Sequence, residues 1–258
     1  MGKLVLDGVT KSFGGLVAVS GLSFEVAENR ITALIGPNGA GKTTTFDLIS
    51  GLIRPSAGTV SFDGRSLTGM LPHQVCKVGI GRSFQTPQTF GEMTVLENVM
   101  VASQWRAKSG FLAAGLRLAR SLVDERAIRE EAMAQLAFLK LEHLANRRAG
   151  VLPLGQQRLL EIARALATRP KVLLLDEPAA GLTRVELREL RKLLIEIRDR
   201  GIAILLVEHN MRFVFRTADH VVVLNFGQKL AEGLAEEIAK DENVIAAYLG
   251  RSPAVADA

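Results

Sequence analysis

The stretch "ITALIGPNGAGKTT", residues 31–44, decides the fold of this chain. Residues 31–35 predict a short buried strand, and this strand leads directly into a glycine-rich loop. The loop matches the pattern G-x-x-x-x-G-K-[ST], which binds phosphates when a strand precedes it. Its backbone N–H groups can wrap a phosphate, Lys42 brings a positive charge to the terminal phosphates, and Thr43 offers a hydroxyl to Mg²⁺. The predicted nucleotide-binding residues are Gly36, Pro37, Asn38, Gly39, Ala40, Gly41, Lys42, Thr43 and Thr44.

Polar side chains that suit phosphate chemistry follow other predicted strands. In "VLLLDEP", residues 172–178, Asp176 stands at the carboxyl end of an apolar strand, where it can hold Mg²⁺ through water. Glu177 is the candidate base that polarises the attacking water. His209 follows the next apolar strand, so it emerges at the same edge of the sheet and can hydrogen-bond a γ-phosphate. Gln85, in "RSFQTPQTF", follows a short strand and can reach both Mg²⁺ and the attacking water.

The remaining patterns predict an α/β fold. Residues 3–30 alternate apolar and polar positions around glycines and predict antiparallel strands, and "GTVSFDG", residues 58–64, predicts a hairpin with an Asp-Gly turn. The apolar strands within residues 172–207 are separated by a helix, which is typical of a parallel sheet covered on both faces. Residues 94–148 have a helical pattern that begins with a capping box, Thr94 to Glu97.

These patterns assign one domain to residues 1–250. Residues 1–93 and 149–250 are expected to form a P-loop NTPase core with a mostly parallel sheet, together with an antiparallel β subdomain. Residues 94–148 are expected to form an inserted helical subdomain, and residues 251–258 a flexible tail. The length suits a single large domain with a substantial apolar interior.

Composition argues against several classes of protein. The chain has 258 residues and one cysteine, Cys76, which fits a reducing compartment. No export signal is evident, and no apolar run approaches the ~18 residues of a membrane span. The net charge is +5, but basic residues alternate with acidic ones, as in residues 184–200. Nucleic acid is therefore not expected as a partner, and a basic surface beside an anionic membrane is favoured.

A second helix start has the properties of an anion site. In "VLPLGQQRLLEIARAL", residues 151–166, Leu159, Ile162, Ala163 and Leu166 fall on one face and predict burial. The first backbone N–H groups of such a helix have no internal partner and can bind a phosphate. The helix pattern by itself leaves open whose phosphate this second site serves.

Together these motifs resemble the ATP-binding subunits of ABC transporters, and the resemblance covers nearly the whole chain. Residues 36–43 match the Walker A loop of that family, and residues 152–156 match its signature. Asp176 and Glu177 match Walker B, and His209 matches the switch histidine. The resemblance implies that the chain binds ATP with Mg²⁺ and hydrolyses it.

The resemblance also assigns further residues to the nucleotide. Gln85 is similar to the glutamine of the Q-loop, and Phe13 sits where the family carries an aromatic residue that stacks on adenine. In this family two subunits pair head to tail, and each ATP lies between the P-loop of one subunit and the signature of the other. The N–H groups of Gly155 and Gln156 would therefore serve the ATP of the partner.

Longer strings are similar to the LivG-type subunits of branched-chain amino acid importers. They are "FGGLVAV", "GIGRSFQTPQTFGEMTVLENVMVA", "GQQRLLEIARALATRPKVLLLDEPAAGL" and "VIAAYLG". The implied partners are a second ABC ATPase subunit, identical or different, two transmembrane permease subunits and, indirectly, a solute-binding protein. The implied location is peripheral, on the cytoplasmic face of the cell (inner) membrane. Residues 88–97 with the helical insert are expected to form a groove for a permease helix.

A few positions depart from the family pattern. Pro153 stands where the signature usually has Ser, and Leu154 follows where Gly is common. Pro153 either weakens recognition of the partner's ATP or simply stiffens the start of the helix. Thr183 stands where most of the family has Asp, which puts communication between the two ATP sites in question. Thr183 and Glu186 still form a capping box, so the local fold is expected to survive.

The sequence leaves other functions open. The alternatives are an ATPase of a different ABC transporter, for amide or urea uptake or for lipid-linked export, and a non-transport ABC ATPase that acts on nucleic acid or ribosomes. The latter typically carries a coiled-coil insertion or two ATPase units in one chain, and neither is evident here. A regulatory GTPase is disfavoured because the chain has no N-K-x-D string and because the adjacent Asp-Glu pair fits ATPase chemistry better.

Overall fold

The computed structural model describes residues 3–84, 86–104 and 119–249, so Gln85 and the predicted tail at 251–258 lie outside the described residues. In chain order, the strands are β1 (Leu4–Phe13), β2 (Leu16–Val26), β3 (Ile31–Ile35), β4 (Ala57–Phe62), β5 (Arg65–Ser66), β6 (Ile80–Arg82), β7 (Val172–Asp176), β8 (Ala203–Val207), β9 (His220–Asn225) and β10 (Gln228–Leu234). The helices are α1 (Lys42–Ile49), α2 (Pro72–Val78), α3 (Val95–Ser103), α4 (Ala119–Phe138), α5 (Leu154–Ala167), α6 (Arg184–Asp199), α7 (Met211–Thr217), α8 (Ala235–Ile238) and α9 (Glu242–Leu249).

These elements belong to two compact units. The first unit comprises the chain up to Arg82 and again from Lys171, and the second comprises Ser83–Pro170. In the second unit α5 packs against α3 and α4. The second unit therefore includes α5 and is larger than the helical subdomain predicted at residues 94–148. The sequence pattern places α5 in the core instead.

One sheet of the first unit is antiparallel. It has the order β2-β1-β4-β5, and each neighbouring pair runs antiparallel. Asp63 and Gly64 connect β4 to β5 with φ values of 51° and 74°. Asp and Gly tolerate this left-handed backbone, which matches the twist of a tight hairpin. The predicted antiparallel strands and the predicted Asp-Gly hairpin are thus confirmed.

The other sheet of the first unit is mostly parallel, with the order β10-β9-β3-β8-β7-β6. Only its edge pair, β9 with β10, runs antiparallel within the described residues. Every residue of β3, β7 and β8 is buried, which explains their nearly continuous apolar sequences. Because parallel strands end at one edge of a sheet, the residues that follow these three strands lie close together. The predicted fold class is confirmed.

Apolar side chains fill the interior of both units. In the first unit one core joins both sheets and α1, and Phe46 and Leu174 are fully buried within it. In the second unit Ile162, Ala163 and Leu166 are buried as predicted, Leu159 is half-buried, and the neighbouring Leu160 is fully buried. The buried side of α5 is wide, and it extends round the helix to the neighbouring leucine. Among the residues that the structure describes, no helix is both long enough and apolar enough to cross a bilayer.

Candidate functional site

The glycine-rich loop between β3 and α1 depends on glycine at specific points. Gly36 has φ 154°, and a Cβ there would lie 2.2 Å from the carbonyl oxygen of Leu224. Gly41, which precedes the first residue of α1, has φ 101°, and a Cβ there would lie 2.6 Å from the carbonyl oxygen of Ala18. A side chain at either position would collide with backbone, so the loop keeps its path only with glycine.

Lys42 is held inside this loop. Its Nζ donates hydrogen bonds to the carbonyl oxygens of Gly36 at 2.8 Å and Pro37 at 2.9 Å, and the residue is only 6% exposed. Burial lowers the pKa of Lys42, and the nearby carboxylates of Glu177 and Asp176 oppose that shift. The loop thus positions a cation beside the first N–H groups of α1, where a phosphate group would bind.

A cavity of about 240 Å³ opens over the loop. Its lining combines loop and helix-start residues 38–44 with three other residues, Ala18, Glu177 and His209. The ends of β7 and β8 therefore meet the phosphate loop, as the strand order dictates. An oligophosphate in this cavity would face Lys42 on one side and the Glu177–His209 pair on the other.

Glu177 and His209 form a close pair. The Nε2 atom of His209 lies 2.6 Å from Oε1 of Glu177. Glu177 has φ 48°, a conformation that costs a non-glycine residue about 1–3 kcal/mol. The backbone N–H of Glu177 donates to the carbonyl oxygen of Val207 at 2.9 Å, which holds this turn against β8. The sequence predicted a role for each side chain but not their pairing.

Asp176 is buried at the end of β7, and sequence reasoning missed its partner, Arg82. The Nη2 atom of Arg82 lies 3.7 Å from Oδ2 of Asp176, and Nη1 donates to Asp47 and Ser50, each at 2.7 Å. Burial raises the pKa of Asp176, and the charge of Arg82 counteracts this shift. Arg82 stands one strand away in the sheet, so only the β6–β7 pairing reveals the contact.

The donor set at this edge fits a hard divalent cation. Asp176 supplies carboxylate oxygens, and the side chain of Thr43, at the start of α1, is exposed in the cavity lining. Mg²⁺ prefers oxygen ligands and retains several waters, which suits a site of one carboxylate, one hydroxyl and phosphate oxygens. Gln85, the other predicted ligand, lies outside the described residues.

Glu208 is a second residue that sequence reasoning missed. It is 2% exposed, and its carboxylate accepts hydrogen bonds from the backbone N–H groups of Ala179 at 2.6 Å and His209 at 3.1 Å. Burial raises the pKa of Glu208, while these backbone donors oppose the shift. Glu208 therefore ties the segment after Glu177 to the segment that carries His209. An acidic residue directly after an all-apolar strand was the available signal.

The start of α5 differs in one respect from the prediction. Pro153 precedes the helix, and its carbonyl oxygen accepts hydrogen bonds from the N–H groups of both Gln156 and Gln157 at 3.0 Å. The first turn of the helix therefore already uses the Gln156 N–H, and the contact of Gln156 with a partner's ATP stays a prediction. The N–H groups of Leu154 and Gly155 have no hydrogen-bond partner among the residues that the structure describes.

The remaining predicted positions lie as follows. Thr183 and Glu186 form the predicted capping box, with the Thr183 N–H donating to Glu186 at 2.8 Å. Thr94 and Glu97 form the other predicted box. Phe13 is 49% exposed at the end of β1 and does not line the cavity over the loop, so its contact with a base stays a prediction.

Comparisons with known proteins agree on one family. Residues 19–180 match the family described as "ABC transporter", and residues 228–254 match "Branched-chain amino acid ATP-binding cassette transporter". The chain is 42% identical over 250 residues to the high-affinity branched-chain amino acid transport ATP-binding protein BraF of Pseudomonas aeruginosa, which covers 96% of this chain and 98% of that protein. It is 40% identical to the protein of that description named LivG in Escherichia coli K12, with the same coverage.

Solved structures support the same assignment. A nucleotide-free ATP-binding cassette from an ABC transporter is similar with a TM-score of 0.85 and 35% identity, covering 96% of this chain and 99% of that one. The ADP conformation of an ATP-binding cassette is similar with a TM-score of 0.84, 35% identity and coverage of 97% and 99%. The chain belongs to the ABC transporter family of ATP-binding cassettes, which confirms the resemblance seen in its motifs.

Proposed function

We propose that the chain hydrolyses ATP to energise an ABC importer of branched-chain amino acids. The observation that carries the proposal is the cavity over the phosphate loop, where Lys42 faces a Glu177–His209 pair whose side chains lie 2.6 Å apart. The names of the relatives and the family match at residues 228–254 support this substrate class. None of the relatives named above is described as serving amide or urea uptake or lipid-linked export.

The chain's own residues divide the chemistry among them. Lys42 and the first N–H groups of α1 hold the β- and γ-phosphates of ATP. Thr43 and Asp176, with Gln85 as the family resemblance implies, would hold Mg²⁺, which would supply positive charge to the phosphates. Glu177 accepts a proton from the attacking water, and His209 orients Glu177 and donates a hydrogen bond to the γ-phosphate.

A second subunit completes the site. Leu154 and Gly155 carry the N–H groups of α5 that no described residue uses, and they suit the γ-phosphate of an ATP bound to a partner ATPase, either a second copy or a different chain. Dimeric structures exist for related ABC cassettes at 25–26% identity. ATP between two half-sites holds the subunits together, and hydrolysis removes the charge that bridges them.

The transport pathway belongs to other chains. Two permease subunits would span the membrane, a solute-binding protein would deliver the amino acid, and this chain would lie at the cytoplasmic face of the membrane. Phe90 and Met93 are 45% and 39% exposed, and Asn98 holds the Phe90 backbone through two hydrogen bonds, at 2.9 and 3.0 Å. These apolar side chains on a rigid turn suit contact with a permease helix.

The test is Glu177→Gln in the assembled transporter. Removal of the general base is expected to lower ATP turnover by about 10²–10⁴-fold. ATP should still protect the variant against thermal unfolding, because the phosphate loop is untouched. The control is Glu236→Gln, an exposed carboxylate on α8, which should leave turnover unchanged. Full turnover in the Glu177 variant would remove this residue from the role of base.

A further inference from the structure

A groove rich in arginine lies between α6 and α7, within the first unit. It has a volume of about 660 Å³ and is lined by residues of both helices. Its arginines are Arg184, Arg188, Arg191, Arg212 and Arg216. We call this feature the arginine groove. ATP hydrolysis as derived above uses none of these side chains.

The spacing of the arginines places them in two facing rows. Arg184, Arg188 and Arg191 follow the spacing i, i+4, i+7 and share one face of α6, while Arg212 and Arg216 are four residues apart on α7. The Nε atom of Arg191 donates to the carbonyl oxygen of Arg216 at 2.6 Å. This bond joins the two helices and holds one guanidinium at the groove without neutralising its charge.

The groove arginines lack direct ion-pair partners among the described residues. Like charges four residues apart destabilise a helix, and both helices contain such a pair. The nearby acidic side chains of α6 have other partners, since Glu186 bonds Thr183 and Glu189 pairs with Lys192. No described residue forms an ion pair with any of the five groove arginines. Repulsion among these arginines weakens the fold, and no described side chain forms an ion pair that relieves it. This arrangement points to an external anion as the partner.

The floor of the groove is apolar, which restricts the kind of anion. By the apolar floor we mean Leu187, which is half-buried, and Phe213, which is almost fully buried; both line the groove, as does the polar side chain of Asn210. The row on α6 spans about 10 Å, at 1.5 Å per residue. A single phosphate group is too short to span the row on α6, and an inorganic polyanion would leave the apolar floor unused. A peptide can place carboxylates on the arginines and an apolar side chain on the floor.

We propose that the arginine groove binds an acidic segment of a protein partner, in which carboxylates flank one or two large apolar side chains. Guanidinium groups bind carboxylates through paired hydrogen bonds. Five arginines in two rows therefore favour a segment with several acidic residues spaced to match them. Charge complementarity selects the partner, and the apolar floor separates such a peptide from other polyanions. The proposal does not depend on ATP hydrolysis by this chain.

The test uses a labelled peptide of about ten residues, long enough to span α6 from Arg184 to Arg191, with Leu and Phe between glutamates. Binding to the full chain is followed by fluorescence anisotropy at about 0.1 M salt, where charges closer than about 10 Å still interact. The double variant R188E/R212E reverses one charge in each row. The control R54E/R65E makes the same change in net charge at exposed arginines outside the groove.

The proposal expects binding to weaken at least about tenfold in R188E/R212E and to stay within about twofold in the control. Leu187→Ser should weaken binding of the peptide that contains Leu and Phe, but not binding of a peptide that has Ser at those two positions. ATP protection against unfolding shows that each variant is folded.

Equal peptide binding by R188E/R212E and by the wild type would overturn the proposal. Equal binding of the apolar and the Ser-containing peptides to the wild type would also overturn it, because the site would then bind any polyanion. A third contrary outcome concerns vesicles with anionic lipid. If the wild type binds them, R188E/R212E does not, and the peptide cannot displace the wild type, the groove would serve a membrane instead.

Discussion

The replacement Glu208→Gln tests how the edge of the sheet is held together. The two carboxylate oxygens of Glu208 accept different backbone hydrogen bonds, Oε1 a buried one from the Ala179 N–H at 2.6 Å and Oε2 a partly buried one from the His209 N–H at 3.1 Å. Glutamine has one acceptor oxygen, so its NH₂ group must face one of these N–H donors. We expect the free energy of unfolding to fall by about 1–3 kcal/mol, which is the cost of a buried donor left unpaired.

Burial of the charge alone predicts the opposite result. Burial raises the pKa of Glu208 because its charged form loses hydration, and a neutral glutamine would relieve that penalty. If desolvation outweighed the two backbone hydrogen bonds, the variant would be at least as stable as the wild type. The raised pKa shows that burial is the larger effect on the charge, so the expected loss of stability rests on the N–H donor that glutamine leaves unpaired.

The assay is thermal unfolding at neutral pH, followed by circular dichroism. A loss of about 1–3 kcal/mol corresponds to a decrease in Tm of about 2–12 °C for a chain of this size. Glu236→Gln, which neutralises an exposed carboxylate on α8, should change stability by less than about 0.5 kcal/mol. A Glu208 variant that melts at or above the wild-type temperature would refute the reasoning.

Three further predictions follow from other contacts. Gly41→Ala should abolish the protection by ATP against thermal unfolding, because the new Cβ would collide with backbone 2.6 Å away. Gly39 has φ 79° but open space around a Cβ, so Gly39→Ala should keep part of the protection. Equal effects of the two variants would contradict the collision. Burial raises the pKa of Glu161 above its ordinary value of 4.5. The free energy of unfolding that Glu161 contributes is therefore fully present below about pH 4.5, and it is lost as the pH rises through the pKa of Glu161 in the folded state. In urea titrations, the free energy of unfolding should therefore fall less between about pH 4 and pH 7 in Glu161→Gln than in the wild type. Identical decreases in the two proteins would count against this effect of burial. Phe90→Asp or Met93→Asp should reduce amino acid uptake without weakening ATP binding, and normal uptake would exclude these side chains from permease contact.

Much of the fold and the phosphate-binding loop could be predicted because their signals are local. The strand before Gly36 and the loop up to Lys42 lie within one short stretch, and buried parallel strands have recognisable apolar runs. The rule that parallel strands end at one edge then brings Glu177 and His209 together without any coordinates. Capping boxes such as that of Thr183 were predictable for the same reason.

The unpredicted features depend on pairing between distant segments. Arg82 approaches Asp176 only because β6 lies beside β7, and the sequence contains no local sign of that neighbour. The hydrogen bond from Gln156 to Pro153 depends on the conformation of the first turn of α5, which a pattern of residue types does not specify. The limits of the second unit likewise depend on where α5 packs.

The partners of three carboxylates explain why Glu177 suits the role of base. Asp176 and Glu208 are almost fully buried; burial raises the pKa of each, and the negative charge of Glu177 adds to both shifts. Arg82 offsets this effect at Asp176, and backbone N–H groups offset it at Glu208. Glu177 instead faces the cavity and has His209 as its neighbour. Because Asp176 and Glu208 are each held by structural partners, we propose Glu177 as the carboxylate at this edge that accepts a proton from water in the cavity.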